Sequence, residues 1–340
     1  MFLELPNHRA VVTLFIPDEE VRQLFSMKEA YDAMHECFAI AGRDSVMQPP
    51  RLVMDYPGGW LRLQAGAMPQ KGYFGFKAYG GTKPYGVRYV VFLYSMVTGE
   101  MLSIIDADTL TVNRTGAHSG VATQYLARKD ARTLGVLGSG AQAKSLVEAV
   151  AYVRKLEEVR VYSREEANRN RFATEVASKL GVKVVPVRTP VEAVKGCDVV
   201  GSATSHMTPD PIISGDWFEE GSHINAIGAV GRGRAEIDQK TFSRSSLVVV
   251  DAMEECLQGA QELIDAIQAG VVRKEDLVEL SEVVVGKKKG RTSPRQVTLF
   301  KSQGSGWQDV ASAVRIYEQA LKKGMGKEVG VVGPPMRAPK

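Results

Sequence analysis

The stretch from Leu134 to Ala143, Leu-Gly-Val-Leu-Gly-Ser-Gly-Ala-Gln-Ala, constrains the fold most, because an apolar run stops at a glycine cluster and a helical pattern follows. Val136 and Leu137 read as the end of a buried parallel strand. Gly138 and Gly140 let the backbone turn sharply and approach a pyrophosphate with no Cβ in the way, and the free amides of the following helix hold the negative charge. Ser139, Ala141 and Gln142 complete this loop as cofactor contacts, although a solvent-facing helix position is the plain alternative for Gln142. Ala143 occupies the third glycine position and still permits close helix-on-strand packing. A glycine fingerprint alone is weak, but its context is present. Leu146, Val150 and Val153 share one helical face, and Val159 to Tyr162 alternates as a second strand.

The end of that second strand bears on the nucleotide. An acidic residue there accepts hydrogen bonds from the ribose hydroxyls and suits NAD. This chain has Ser163 and Arg164, the latter 26 positions after Gly138. A hydroxyl beside a guanidinium supplies donors and charge for a 2′-phosphate, so NADP(H) is expected ahead of NAD(H). Ser163-Arg-Glu-Glu166 also reads as a capping box, with Glu165 or Glu166 near the ribose, and the two roles for Ser163 are compatible.

A chain of 340 residues has room for two domains, or for one domain inserted in another. With 44% hydrophobic and 24% charged residues it reads as a soluble globular protein. Cys37, Cys197 and Cys256 lie far apart with no C-x-x-C pair, so buried thiols are expected, with neither a disulfide framework nor a metal site. No leader pattern opens the chain, and its most apolar run, Tyr89 to Val97, is too short to cross a bilayer, which points to the cytoplasm. The net charge of +4 favours anionic ligands, but aromatic and basic residues do not interleave as in a nucleic-acid surface.

Along the chain, Pro17-Asp18 opens a short helix and Ser26-Met-Lys-Glu29 a second one. Residues 51–105 read as strands broken by glycine turns. Within them Lys77 falls on the same face as Tyr73, Gly75 and Tyr79, and a lysine facing inward among aromatics needs a partner or a purpose. After the fingerprint, helices alternate with strands at 182–187, 198–202, 224–227 and 247–250, as in a parallel sheet covered on both faces. A last helix carries Val310, Val314, Tyr317 and Leu321 on one side.

Arg114-Thr-Gly-Ala117, the fingerprint loop, Pro211 to Trp217, Gly221-Ser-His-Ile-Asn-Ala-Ile-Gly228 and Phe300-Lys-Ser-Gln-Gly304 with Asp309 together resemble the ornithine cyclodeaminase/mu-crystallin family over roughly residues 15 to 322. The resemblance implies an α/β fold in which a Rossmann-type dinucleotide-binding domain (121–299) is inserted into an α+β dimerisation and substrate domain (1–120 and 300–330), followed by a flexible tail (331–340). It further implies a homodimer and hydride exchange between a nicotinamide and the α-carbon of an amino or imino acid. Arg51 and Arg114 would grip the α-carboxylate, and Lys77 would sit beside the reacting carbon and nitrogen. For Arg51 an ordinary surface position after Pro49-Pro50 is the plain alternative. Thr115 is read as a phosphate contact or a helix cap, and Ala203, Thr204 and Ala229 as further cofactor contacts. His223 and Asn225 fall in a family motif or simply in a buried strand. Met54, Tyr56, Met68, Tyr79 and Thr82 are the candidates for the substrate pocket.

One position departs from the family pattern. Cyclodeaminases and archaeal alanine dehydrogenases carry an acid just after the Asn-Ala-Ile-Gly strand, where this chain has Ala229 and Val230. Valine neither exchanges a proton nor holds an aminium group, which disfavours cyclodeamination and weakens oxidative deamination. Reduction of a preformed α-imino acid, cyclic or ketimine, to the L-amino acid asks least of such a site. An alanine dehydrogenase-like enzyme, an ornithine cyclodeaminase and a non-catalytic NADPH-dependent binding protein of mu-crystallin type are the other readings.

Overall fold

Period-two alternation of side chains makes residues 52–106 an antiparallel meander, and the computed structural model, which describes residues 12–82 and 84–333, extends it to seven strands. In spatial order these are Lys327–Glu328, Leu14–Ile16, Met101–Asp106, Gly86–Ser95, Tyr73–Thr82, Gly59–Met68 and Leu52–Tyr56. Leu14–Ile16 runs parallel to Met101–Asp106 and antiparallel to Lys327–Glu328, so the two ends of the described chain meet in one sheet.

Pairing register sorts the side chains of this sheet. Gln64 lies opposite Lys77, Arg62 opposite Tyr79, and Val53 opposite Arg62. Arg51, Val53, Asp55, Trp60, Arg62, Gln64, Lys77, Tyr79 and Tyr89 therefore share one face. The other face carries Leu52, Met54, Tyr56, Leu63, Phe74, Phe76, Phe92 and Tyr94. There Phe74 stacks on Tyr94 with centroids 5.0 Å apart, and Phe76 on Phe92 at 4.9 Å. Leu52, Met54, Tyr56 and Phe74 on that face are exposed. Met54 and Tyr56 thus look away from any pocket on the charged face, and Met68 is buried, which corrects their expected role as pocket residues.

The second sheet has eight parallel strands in the order Val278–Glu279, Leu247–Val250, Thr298–Lys301, His223–Ala226, Val199–Ser202, Thr133–Leu137, Glu158–Tyr162 and Lys183–Pro186. Winding starts at Thr133–Leu137, proceeds outward, and then reverses to Val199–Ser202 on the opposite side. Such a reversal opens a crevice at the carboxyl ends of the strands. The expected boundary between residues 299 and 300 falls inside the strand Thr298–Lys301, which is central in this sheet.

Two helices join the sheets. Asp108–Leu126 leads from the first to the second and crosses Ala141–Val153 closely, since a Cβ at Gly116 would overlap Ser145 and one at Gly120 would press on Ala149. Gly306–Lys323 returns and packs on Gly59–Met68, where a Cβ at Gly66 would strike the Gly306-Trp307 backbone. Ser26 caps its helix by accepting from the Glu29 amide. Ser163 does not cap the helix Glu166–Leu180: Glu165 stands at that position and the Ser163 hydroxyl donates to the Glu165 carbonyl, so the capping box is not formed. All three cysteines are buried free thiols. Among the described residues no helix is long and apolar enough to cross a membrane. Of the expected tail, residues 334–340 lie outside those described.

Candidate active site

Lys77, from the centre of the meander, is buried, and its ammonium lies 2.9 Å from Oδ1 and 2.8 Å from Oδ2 of Asp309. Arg114, from the helix Asp108–Leu126, donates Nε to the same Oδ1 at 2.9 Å. Asp309 sits in the first turn of Gly306–Lys323, where the helix dipole favours a carboxylate. Burial alone would raise its pKa, but Lys77 and Arg114 outweigh burial and hold it below the usual carboxylate range. Lys77 moves down to about 7: burial dominates, Arg114 and Arg51 add repulsion, and Asp309 only partly opposes them. The rings of Tyr79 and Tyr89 flank the ammonium at 5.0 and 6.0 Å.

Arg51 closes the cluster from the chain segment just before Leu52–Tyr56. Its Nη2 donates to the carbonyls of Gln303 and Gly304 at 2.9 and 3.0 Å and lies 3.2 Å from Glu255. Arg51 is therefore not an ordinary surface arginine; its side chain is only 13% exposed. Burial raises the Glu255 carboxyl above its ordinary value, with Arg51 opposing. With Lys77 protonated, three cations against Asp309 and Glu255 leave one positive charge in excess, the complement of a single carboxylate. The terminal nitrogens of Arg114 have no acceptor among the described residues and adjoin Gly304, whose φ of 72° and close approach demand glycine; a Cβ there would lie 3.0 Å from Nη1.

These groups line one cleft of about 880 Å³ between the sheets, shared with Gln142, Ala203, Thr204, Ile227, Gly228 and Val230. The dinucleotide loop fits its expected ligand. Gly138 has φ 107°, and a Cβ there would overlap the Ala203 carbonyl, whereas Gly140 faces open space. No side chain caps Ala141–Val153 at Gly140, so its first amides are available to an anion. The Gln142 Oε1 is buried without a partner. Ser163 and the exposed Arg164 lie at the carboxyl end of Glu158–Tyr162, with Arg169 donating to the Ser163 carbonyl at 3.2 Å.

Other expected contacts differ. Thr115 lines the cleft, but it lies inside its helix, with its hydroxyl bound to the Thr111 carbonyl at 2.7 Å, so it is not a cap. Thr204 lines the cleft while its amide and hydroxyl are both given to Glu236 at 2.8 and 2.6 Å. Ala229 is buried behind the wall: its amide goes to Glu236 and its carbonyl accepts from Lys301 and Gln303, which leaves no backbone group for a cofactor. Among the suggested pocket residues, only Tyr79 lines this cleft. His223 is buried within its strand, 3.0 Å from the Thr298 hydroxyl, and burial pushes its pKa to about 3, a neutral structural histidine; Asn225 binds Thr123.

Three groups escaped the sequence reading. Glu236 ties the ends of two strands together by accepting from Thr204, Gly228 and Ala229. Asp251 accepts from the Gln303 and Gly304 amides and the Ser302 hydroxyl, fixing the loop that holds Arg51. Glu255 faces Arg51 from the helix Met253–Gly259. The cleft is thus not devoid of carboxylates, although position 230 lacks one. Among the described residues no group of three or more histidine, cysteine or acidic side chains is arranged to hold a metal ion.

Known proteins resemble this chain over nearly its whole length. An alanine dehydrogenase of Archaeoglobus fulgidus is 36% identical over 326 residues, covering 93% of this chain and 98% of its own length. The structure of Thermococcus litoralis Delta(1)-pyrroline-2-carboxylate reductase in complex with NADH and L-proline superposes with a TM-score of 0.89 at 32% identity, over 93% of this chain and all of that one. The iminosuccinate reductase of Paracoccus denitrificans in complex with NAD+ gives 0.87 at 27% identity, over 94% and 99%. Residues 11–324 match the ornithine cyclodeaminase/mu-crystallin family, and the chain belongs to that family.

Proposed function

We propose that the protein is a nicotinamide-dependent oxidoreductase that reduces α-imino acids to amino acids. The observation that carries this reading is the cluster of Arg51, Lys77 and Arg114 around Asp309, in a cleft also lined by Gln142 from the start of the uncapped helix that follows the glycine loop. The bound cofactor supplies the hydride. The free end of Arg114, together with Arg51, orients the substrate carboxylate, and the buried ammonium of Lys77 keeps a proton donor beside the substrate nitrogen. Tyr79 and Tyr89 exclude water from that ammonium. Val230 on the cleft wall offers nothing to a second amine, which argues against cyclodeamination. The chain would divide its work, with the meander holding substrate and the parallel sheet holding nucleotide.

NADP(H) is favoured over NAD(H), because the second strand of the parallel sheet ends in Ser163 and Arg164, free of the helix-capping role. A homodimer is favoured as well: one face of the meander leaves Leu52, Met54, Tyr56 and Phe74 exposed beside two stacked aromatic pairs, an apolar surface that a partner subunit would cover.

The test is spectrophotometric. Cyclic imino acids, and acyclic ones formed from 2-oxo acids with ammonia, are offered with NADPH and with NADH. Oxidation of cofactor is expected, with KM for the imino acid raised about 10- to 100-fold in Arg51→Ala and with preference for NADPH lost in Arg164→Asp. Tight nucleotide binding without turnover of any imino acid would overturn the enzyme reading.

A further inference from the structure

The inner cluster satisfies one carboxylate, yet the same cleft contains three more guanidinium groups: Arg62, Arg232 and Arg234. Arg62 extends from the charged face of the meander, two positions before Gln64, with its guanidinium 5.2 Å from the Trp60 ring centroid and its Nη2 2.8 Å from Asp55. Arg232 and Arg234 come from the facing wall, in the Gly-Arg-Gly-Arg loop after the strand His223–Ala226. Gly231 and Gly233, with φ of 93° and 74°, shape that loop, and the Gly231 amide donates to Gln303 at 3.0 Å. Arg232 gives Nε to the Gln258 carbonyl, and Arg234 gives Nη1 to the Val230 carbonyl. Neither has an acidic partner among the described residues. Arg234 is nevertheless half-buried, and its pKa is lowered by burial and then by the nearby charge of Arg62. Among the described residues the acids on the cleft lining are Glu255, which is paired with Arg51, and Asp55, which is paired with Arg62 and 70% exposed. Two uncompensated cations remain.

The nucleotide does not account for them. Its pyrophosphate site lies after Thr133–Leu137, and the Gly-Arg-Gly-Arg loop follows a strand two places away, about 10 Å across the sheet. An aminium-bearing side chain would be repelled. Arg232 is exposed, but a neutral side chain would leave the partly buried guanidinium groups of Arg62 and Arg234 repelling each other with nothing between them. A second anion relieves the repulsion, and a planar guanidinium favours a carboxylate.

We propose that Arg62, Arg232 and Arg234 form a second anion subsite and that the substrate is the α-imino derivative of a dicarboxylic acid, with its remote carboxylate held there. This rests on the imine-reductase reading and narrows it. The iminium carbon takes a hydride from the reduced nicotinamide dinucleotide, which is oxidised; the C=N electron pair passes to nitrogen, which already bears its proton, giving the amino dicarboxylic acid. The imine itself forms from a 2-oxo dicarboxylic acid and ammonia with loss of water.

The experiment compares kcat/KM of the intact enzyme, with NADPH and fixed ammonia, for oxaloacetate and 2-oxoglutarate against pyruvate and a cyclic imino monocarboxylic acid. One of the two dicarboxylic substrates is expected to exceed pyruvate by about 100-fold, chiefly through KM, as two charge-assisted contacts supply. In Arg234→Gln and Arg62→Gln that ratio should fall at least tenfold. The two variants alter opposite walls, so misfolding of one leaves the other informative. Equal or better use of the monocarboxylic imines overturns the subsite and leaves the reductase reading standing. A dicarboxylate preference that persists in both variants overturns the assignment to these arginines. Reduction of no imine overturns both.

Discussion

Burial sets the ionisation of Lys77. With a pKa near 7, its ammonium is the majority form below neutrality and falls to about a tenth one pH unit above it. If the charged form serves the reaction, kcat/KM for imine reduction declines as pH rises through about 7, and Lys77→Arg, whose charge does not titrate in that range, loses this limb even at a lower rate. A pH profile of both proteins checks it. Asp309 is the residue on which both neighbours depend. Asp309→Asn leaves Lys77 and Arg114 buried without a counter-charge, and a loss of about 3–5 kcal/mol in unfolding free energy is expected from denaturant titration. Lys77 was legible in the sequence because alternation placed it inward among aromatics. The partnership with Asp309 was not, since 232 positions separate the pair and the helix pattern around Asp309 records only its apolar side.

At the scale of elements, the parallel strands were legible from short apolar runs and glycine punctuation, because burial on both faces leaves a strong signal. Loop interiors were not. Ser163 to Glu166 has the spacing of a capping box, yet the helix starts two residues too late for Ser163 to serve as its cap, and Ala229 follows a family motif but spends both backbone groups on Glu236, Lys301 and Gln303. Such outcomes are set by long-range carboxylates such as Glu236 and Asp251, which local patterns do not reveal. The loop of residues 302–304 illustrates the energetics. Gly304→Ala forces a side chain into a left-handed backbone and against Arg114, so KM for the imino acid is expected to rise about tenfold in steady-state assays. The crossing of Asp108–Leu126 over Ala141–Val153 is equally tight. Gly116→Val separates the two helices and should lower stability by about 1–3 kcal/mol, read by thermal unfolding.

At the scale of the whole molecule, the uncovered face of the meander and the charged cleft are opposite sides of one sheet. Association through that face would stiffen the strands that carry Arg51, Arg62 and Lys77. Phe74→Lys should therefore give monomers by light scattering. The sequence announced a β-rich half but not which of its side chains face outward, because tyrosine and methionine suit a pocket and a subunit interface equally well. One further consequence follows from the return of the chain to its first sheet. Asp309 is the 309th of 340 residues, and the strand that pairs with Leu14–Ile16 comes later still. While a ribosome is still making the polypeptide, Lys77 and Arg114 exist long before their counter-ion does. A product terminated before Asp309 would retain a nearly entire nucleotide sheet, yet it would lack the carboxylate that assembles Lys77 and Arg114.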